Sequence, residues 1–222
     1  MTKTSDTPQV PADRAPLPPH TAGPVGRFPI FDVWPVVDFG RRPAKAAENE
    51  RIRVRCTATR EGHDSLGVSV VLTDPSGNET VHRAELETND RYSADIRPTS
   101  MGHWTFRVEA WDDPWGTWHH AAGLKVPAGV DVELELLEGA LLLELALSTT
   151  QATASVEVKT AISTAIAALR DVTGAPEVRL ALAFDPIIDH AMHSNPVRSL
   201  VTRTQEFPLY VERHREIGRA HV

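Results

Sequence analysis

The acids of the run Glu109-Ala110-Trp111-Asp112-Asp113-Pro114 are the first side chains whose spacing could support chemistry. Transfer or hydrolysis of a glycosidic bond needs two carboxylates about 5–10 Å apart across a cleft. These acids, however, stand where a predicted strand runs into a proline turn, and solvation by water accounts for them more simply. We therefore predict no general acid–base pair in this run.

Histidines recur along the chain, and together they could bind a metal ion. They are His63, His82, His103, His119 and His120. No pair among them has the His-x3-His spacing of a dedicated site, and Cys-x2-Cys spacing is absent too. Adjacent His119 and His120 are expected on opposite faces of a predicted strand. Solvated or core histidines are the simpler interpretation, so no metal ligand is predicted.

Cys56, the single cysteine, could act as a nucleophile. It lies at an inward position of an alternating strand, where a free cysteine behaves as a small hydrophobic side chain. Catalysis by Cys56 is therefore not predicted. A lone cysteine cannot form an internal disulfide, and this indicates a reducing, cytoplasmic location.

The basic run Arg41-Arg42-Pro43-Ala44-Lys45 could bind a phosphate group. Phosphate motifs combine a glycine-rich turn with the N-terminus of a following helix, and this run has neither. A solvated or interface loop is therefore the expected structure.

Four of the five tryptophans lie close together: Trp104, Trp111, Trp115 and Trp118. Trp104 shares the parity of its apolar neighbours, which predicts a core position. The indole rings of the other three suit sugar rings, and they also suit protein interfaces or a core. Both a packing role and a sugar platform remain open at this point.

The composition excludes several classes of protein. The 222 residues are 41% hydrophobic, which is enough for a real core, and no apolar run is long enough to span a bilayer. The formal net charge of −7 disfavours nucleic acid or an anionic membrane as a partner. A P-loop, a dinucleotide-binding glycine motif and a Gly-x-Ser-x-Gly elbow are all missing, and no cofactor is predicted.

Two kinds of periodicity divide the chain. Residues 1–24 carry six prolines and few large apolar side chains, so a disordered leader is predicted. Residues 25–128 show short strands separated by turns, and this spacing predicts an antiparallel β-sandwich of immunoglobulin or fibronectin type. The expected strands are 30–37, 52–59, 68–72, 79–86, 92–96, 104–111 and 117–126.

After Gly129 the period changes to that of helices. A first helix is predicted by apolar side chains at helical spacing: Val130, Leu134, Leu137, Leu141 and Leu145. Further helices are predicted over 158–169 and 176–184, and from Asp185-Pro186 to Asn195-Pro196. Residues 129–215 are thus expected to form a small α-helical bundle.

Several short strings follow one another in an order typical of a single family. They are Gly26-Arg27, Gly40-Arg41-Arg42-Pro43-Ala44-Lys45, Arg60-Glu61-Gly62-His63-Asp64, Asn89-Asp90-Arg91-Tyr92, Gly102-His103-Trp104-Thr105-Phe106, Thr117-Trp118-His119-His120 and Pro208-Leu209-Tyr210-Val211-Glu212-Arg213. In this order they resemble the opening part of the bacterial maltosyltransferases that use maltose 1-phosphate. The resemblance covers about residues 25–213.

The resemblance implies an enzyme of the α-amylase superfamily that transfers maltosyl units from α-maltose 1-phosphate to the non-reducing ends of α-1,4-glucans, with retention. Members begin with a β-sandwich and a helical insert that help to form a homodimer. A catalytic (β/α)8 barrel follows and bears the aspartate nucleophile and the glutamate acid/base. A barrel needs about 250 residues, and the helices here are not followed by one.

The resemblance therefore implies that the catalytic acids, and the residues that bind maltose 1-phosphate and the α-glucan acceptor, would lie downstream. No catalytic, cofactor-binding or metal-binding residue is expected in this chain. Residues 216–222 read as a translated sequencing adapter, so we expect them to be an artefact and the native sequence to continue differently after about Arg213.

Three hypotheses follow. The favoured one is an N-terminal fragment that supplies scaffold and homodimer domains to the maltosyltransferase. The alternative is a stand-alone immunoglobulin-like carbohydrate-binding module, which requires Trp115 and Trp118 to be exposed on one face. A third, a helical bundle that binds a regulatory partner, rests on the apolar stripes alone.

Overall fold

A computed structural model describes residues 26–150 and 154–213 of the chain. The predicted leader (1–24) and the predicted adapter sequence (216–222) lie outside these residues. In chain order the elements are β1 (Ile30–Trp34), β2 (Ala44–Ala47), β3 (Ile52–Ala58), β4 (Leu66–Thr73), β5 (Glu79–Arg83), β6 (Glu85–Thr88), β7 (Arg91–Ile96), β8 (Gly102–Asp112), α1 (Pro114–Lys125), α2 (Val132–Thr150), α3 (Val156–Arg170), α4 (Pro176–Ala183), α5 (Pro186–Ser194), β9 (Ser199–Arg203) and β10 (Phe207–Glu212).

The strands form two sheets. The first has the order β1-β3-β7-β6, and its neighbours are antiparallel. The second has the order β2-β10-β8-β4-β5, with β9 also paired to β8. Its neighbours are antiparallel except β2 and β10, which are parallel. Two sheets together with five described helices agree with the predicted combination of a sandwich and a helical part.

A single cluster of buried apolar side chains joins the two sheets. The first sheet contributes the inward side chains of β3, which alternate with exposed Arg53 and Arg55 as the sequence predicts. The second sheet contributes Phe106 from β8 and Leu209 from β10, and both are fully buried. Alternation along β3 therefore identified one face of this core correctly.

Residues 79–86, predicted as one strand, are divided at Ala84. β5 pairs with β4 in the second sheet, whereas β6 pairs with β7 in the first. Ala84 is buried between them, and its backbone N–H donates to the carbonyl of Val68 at 2.9 Å. A continuous strand cannot pair in both sheets, so the chain crosses from one to the other at this residue.

The strand predicted over 117–126 is wrong, because residues 117–125 lie in α1 and Val126 is its C-cap. The carboxylate of Asp113 caps the helix by accepting a 3.0 Å hydrogen bond from the N–H of Gly116, and Pro114 occupies the first turn. The helical period then brings Trp115 and Trp118 to one buried face. The aspartate-proline pair that we interpreted as a turn is in fact a helix start.

The apolar stripe predicted on the first helix does not face the helical core. The side chains that define it are exposed: Val130, Leu134, Leu137, Leu141 and Leu145. The face of α2 that packs is a different one, and it carries Leu136, Ala140, Leu143 and Ala146. α2 is therefore apolar on two faces, and periodicity alone did not indicate which one is covered.

The predicted helices over 158–169, 176–184 and from 185 onward are confirmed as α3, α4 and α5. Ser155 caps α3 by accepting from the N–H of Val158 at 3.3 Å, and Asp185 caps α5 by accepting from the N–H of Ile187 at 2.9 Å. All five described helices contribute to one buried apolar cluster. None of them is long and apolar enough to cross a membrane.

The helices are inserted into the sandwich. β9 and β10 follow α5 and return to the second sheet, where β10 lies between β2 and β8. Our prediction assigned residues 129–215 to a helical domain and so missed both strands. β9 is exposed along almost all of its length, which explains the absence of an alternating signal. α1, which precedes Gly129, packs with the other helices.

Candidate functional site

Glu109 is a buried carboxylate on the outer face of β8, only 2% exposed. Its Oε1 accepts from Nε of Arg107 at 2.9 Å and pairs with Nε of Arg203 at 3.1 Å. Its Oε2 accepts from Nη1 of Arg198 at 2.8 Å. Three guanidinium groups thus replace the water that burial removes. The prediction that the acids of this run are solvated is wrong for Glu109.

Asp112 and Asp113 are also paired and not simply solvated. Asp113 is buried, and its Oδ2 accepts from Nη2 of Arg83 at 2.6 Å. Asp112 accepts from Nη1 of Arg60 at 2.7 Å and from the hydroxyl of Ser199 at 3.1 Å. These carboxylates fix the joint between β8 and α1, and their charges are already balanced by protein groups. They are structural ion pairs.

Trp111 is fully buried on the outer face of the second sheet. The guanidinium carbon of Arg83 lies 4.2 Å from the centroid of its ring, a cation–π contact. Gly67 faces the same indole, and a side chain at that position would overlap it. Trp111 therefore has a packing role and offers no free face to a sugar.

Trp115 and Trp118 are 7% and 3% exposed and belong to the helical core. Their ring centroids lie 4.9 Å apart, and Nε1 of Trp118 donates to the carbonyl of Glu135 at 2.7 Å. Trp104 is buried in the sandwich core, as its parity predicts. The packing interpretation of these tryptophans is confirmed, and the sugar platform is wrong.

Cys56 lies in the sandwich core, at the inward position that the alternation of β3 predicts. Burial raises the pKa of its thiol to about 12. The nucleophilic thiolate is therefore strongly disfavoured at neutral pH.

The histidines that we considered as metal ligands are spread over the molecule. His103 packs against Tyr210, and His119 is stacked on Phe184 with ring centroids 3.8 Å apart. His82 has its pKa lowered by burial, while His63 and His120 are exposed. Within residues 26–150 and 154–213, no group of three or more His, Cys, Asp or Glu side chains is placed to hold a metal ion.

The basic run of residues 41–45 is divided between a loop and a strand. Arg41 and Arg42 are exposed, and Arg42 has a weak contact of 3.8 Å with Asp38. Lys45 belongs to β2, whose parallel partner is β10, and its Nζ lies 3.3 Å from the carboxylate of Glu212. A solvated loop is therefore correct for the arginines and wrong for Lys45.

A row of leucines on α2 forms an exposed apolar surface. We name it the α2 apolar face and define it by Leu134, Leu137, Leu141 and Leu145, each between 43% and 54% exposed. The other sides of α2 are covered by α1, α3 and α4. A contiguous apolar surface of this kind is typical of an interaction site. In the sequence these residues predicted a helix, and only the hypothesis of a partner-binding bundle gave such stripes a role; the apolar residues on more than one side of α2 were the signal for an exposed face.

A family model matches residues 26–213, and its description is "Alpha-1,4-glucan:maltose-1-phosphate maltosyltransferase, domain N/S". The chain belongs to this maltosyltransferase family. The match extends from the first described residue to the last, so it includes the sandwich, the inserted helices and the returning strands. The family resemblance inferred from the sequence is confirmed.

Curated relatives carry the same family name. Alpha-1,4-glucan:maltose-1-phosphate maltosyltransferase 2 of Streptomyces coelicolor is 44% identical over 196 residues, which are 87% of this chain and 29% of that protein. The Mycobacterium tuberculosis maltosyltransferase (strain CDC 1551 / Oshkosh) is 33% identical over 216 residues, covering 85% and 30%. The chain thus spans less than a third of the length of these relatives.

Among solved structures, the Lin-41 filamin domain matches 38% of this chain and 78% of its own, at 15% identity and a TM-score of 0.28. A similarity this weak supports no conclusion about the fold.

Proposed function

We propose that this chain is the scaffold and homodimer-forming part of an α-1,4-glucan:maltose-1-phosphate maltosyltransferase. The observation that supports it best is the α2 apolar face, which lies on helices that are firmly joined to the sandwich. The family match supplies the parent enzyme. We also propose that the sandwich is of the immunoglobulin-like type and that the protein is cytoplasmic.

The α2 apolar face suits a second copy of the chain because its leucines are regularly spaced along one helix. Leu134, Leu137, Leu141 and Leu145 recur every three or four residues. Helices with this spacing pack against an equivalent helix, since their side chains interdigitate across a two-fold axis. Each leucine is already about half buried, so covering the rest would contribute roughly half of the about 1.5–3 kcal/mol that complete burial of a leucine gives, before the cost of association.

The joint between helices and sheet would hold this face in a fixed orientation. Asp113 connects α1 to β5 through Arg83, and Glu109 connects β8 to the returning segment through Arg198. Both ends of the insertion are therefore tied to the second sheet by buried carboxylates. A rigid joint is what a dimerisation element needs in order to position a catalytic domain.

The chemistry of the parent enzyme belongs to the same proposal. It transfers maltosyl units from α-maltose 1-phosphate to the non-reducing ends of α-1,4-glucans by double displacement at two carboxylates, and phosphate leaves first. The acids described above are held by arginines within the scaffold. We therefore propose that the nucleophile, the acid/base and the sugar ligands come from the part of the relatives that this chain does not span.

The oligomeric state of the purified chain tests the proposal. Light scattering after size-exclusion chromatography should give a dimer for the wild type and a monomer for Leu141→Asp, because a carboxylate would be desolvated in the interface. Val178→Asp, at an exposed position of α4, is the matched control and should remain a dimer. A monomeric wild type, or a dimer that Leu141→Asp leaves intact, would overturn the proposed dimer role.

The alternative function, a stand-alone carbohydrate-binding module, required Trp115 and Trp118 to be exposed. Both are buried in the helical core. No observation in the described residues favours this alternative.

A further inference from the structure

A polar row crosses the outer face of the second sheet below the segment that follows α5. Arg83 on β5 is the register partner of Ser69 on β4, and Ser69 is in turn the partner of Glu109 on β8. Because directly opposed residues of antiparallel strands share one face, these three side chains lie side by side. Arg198 reaches the row from the other side through its bond to Glu109.

A groove of about 700 Å³ lies over this row, and Ser69, Arg83 and Arg198 all line it. Its volume is in the range of sites that hold a small molecule. Residues His193 and Asn195, at the end of α5, form the opposite wall. The groove is thus built by β4 and β5 below and by the helix-to-strand connection above, and Asp95 of β7 and Thr149 of α2 also line it.

The unused hydrogen-bonding capacity around this groove belongs mainly to donors. Nη1 of Arg83 is buried and has no partner among the described residues, although Nη2 is bound to Asp113. Ser69 is 2% exposed, and its hydroxyl makes no hydrogen bond to the described part of the chain. Arg198 has five N–H donors, of which Glu109 takes one.

The carboxylates near the row are already occupied. Glu109 has both oxygens bound to arginines, and Asp113 is bound to Arg83 and to the start of α1. Asp95 also lines the groove, but Arg53 holds its carboxylate at 3.0 Å. A group that pairs with the free donors of the row must therefore bring acceptors.

We propose that this groove binds an oxyanion, the phosphate or carboxylate group of a small molecule. Its oxygens would accept from Nη1 of Arg83, from the hydroxyl of Ser69 and from the free donors of Arg198. Both guanidinium groups keep unused N–H donors beside their carboxylate partners, and guanidinium groups bind planar or tetrahedral oxyanions with paired hydrogen bonds. The site is distinct from the α2 apolar face and does not depend on the proposed dimer.

Isothermal titration calorimetry on the full 222-residue chain tests the site. Inorganic phosphate, sulfate and acetate are titrated at constant ionic strength, with chloride as the reference salt. Saturable binding of phosphate and sulfate only would identify a phosphate-type ligand, and saturable binding of acetate would identify a carboxylate. Heats equal to those of chloride for all three anions would overturn the proposal.

Two variants locate the binding. Ser69→Ala removes one hydroxyl and should weaken the anion affinity about three- to tenfold. Arg83→Lys keeps the positive charge opposite Asp113 but loses the forked guanidinium donor. It should weaken the anion affinity about tenfold or more. Ser163→Ala, at an exposed position of α3, is the matched control and should bind like the wild type.

An anion that binds both variants as tightly as the wild type would show that the groove is not the site. If circular dichroism shows that Arg83→Lys does not fold, Ser69→Ala alone decides, because removal of one hydroxyl leaves every ion pair of the row in place.

Discussion

The hydroxyl of Ser199 donates a 3.1 Å hydrogen bond to the carboxylate of Asp112, and the two residues are register partners on β9 and β8. Asp112 is the last residue of β8 before the helices, and Ser199 is the first residue of β9 after them. The Cα atoms of directly paired residues in antiparallel strands lie about 4.5–5.5 Å apart. The helical insertion therefore leaves and re-enters the sheet at one point.

Replacement of residues 113–198 by Asn-Gly should leave a folded sandwich. Asn-Gly closes a two-residue hairpin between paired strand ends, and the core between the sheets contains no residue of the insertion. We expect a far-ultraviolet circular dichroism spectrum typical of β-structure and a single cooperative thermal transition. A shortened chain without a cooperative transition would mean that the sandwich depends on its helices.

Glu109→Gln should lower the free energy of unfolding by about 3 kcal/mol, because it leaves three arginines around a buried neutral amide. Glu206→Gln is the matched control. Glu206 also binds Arg107, at 3.1 Å, but it is about half exposed, so its loss should cost less than about 1 kcal/mol. Urea unfolding of both variants measures the difference. Equal losses would contradict the assigned role of Glu109.

Two glycine-to-alanine changes in helices should have opposite effects on stability. Gly139→Ala on α2 places a methyl group into the indole of Trp118, and overpacking should cost about 1–3 kcal/mol despite the better helix propensity. In Gly123→Ala on α1 the new methyl would contact Phe184 at an ordinary 3.5 Å. This variant should gain about 0.5–1 kcal/mol. Thermal unfolding compares them, and the same sign for both would refute the packing described here.

Cys56 should resist alkylation in the native protein. Iodoacetamide at pH 8.5 should label it only after unfolding, because the pKa of its thiol is raised to about 12 and the side chain is buried. As the pH rises, the thiol of Cys56 keeps its proton to a higher pH in the folded state than in the unfolded state. Stability linked to Cys56 is therefore complete below about pH 9 and decreases as the pH rises toward 12. Cys56→Ala should lose this part of the pH dependence.

The purified chain should release no phosphate from maltose 1-phosphate. Each acid of residues 109–113 is bound by an arginine of the scaffold, so none of them is free to attack or to protonate a sugar. A colourimetric phosphate assay with the S. coelicolor enzyme as the positive control measures this. Sustained turnover by this chain would contradict the proposed division between scaffold and catalytic part.

Local patterns predicted the elements whose faces differ clearly in polarity. β3 was found because Arg53 and Arg55 separate its inward residues, and α5 was found because Asp185 and Pro186 open it. α1 was mistaken for a strand because tryptophan and threonine, which it carries at Thr117 and Trp118, are common in strands. Its capping aspartate was interpreted as part of a turn. The local cap at Asp113 and the packing of the tryptophans, and not strand propensity, decided the structure there.

The ion pairs between residues far apart in the chain could not be predicted from the sequence pattern. Glu109 is bound by Arg198 and Arg203, which lie about ninety residues further along the chain. Neither the order of residues nor their periodicity indicates that this carboxylate is neutralised after the chain has passed through five helices. The same is true of the α2 apolar face, because either side of α2 could have been the covered one.

β10 is synthesised after all the other described strands, yet it lies between two of them, β2 and β8, in its sheet. β2 has β10 as its only strand neighbour in the described residues, and β10 also pairs with β8. During synthesis, β2 therefore has no strand partner until the helical insertion has been completed. The contacts of the insertion are local in sequence, so it can fold first. We expect ribosome-bound chains that stop before residue 207 to have folded helices and an open sheet edge, and to require chaperone protection until the last strand closes it.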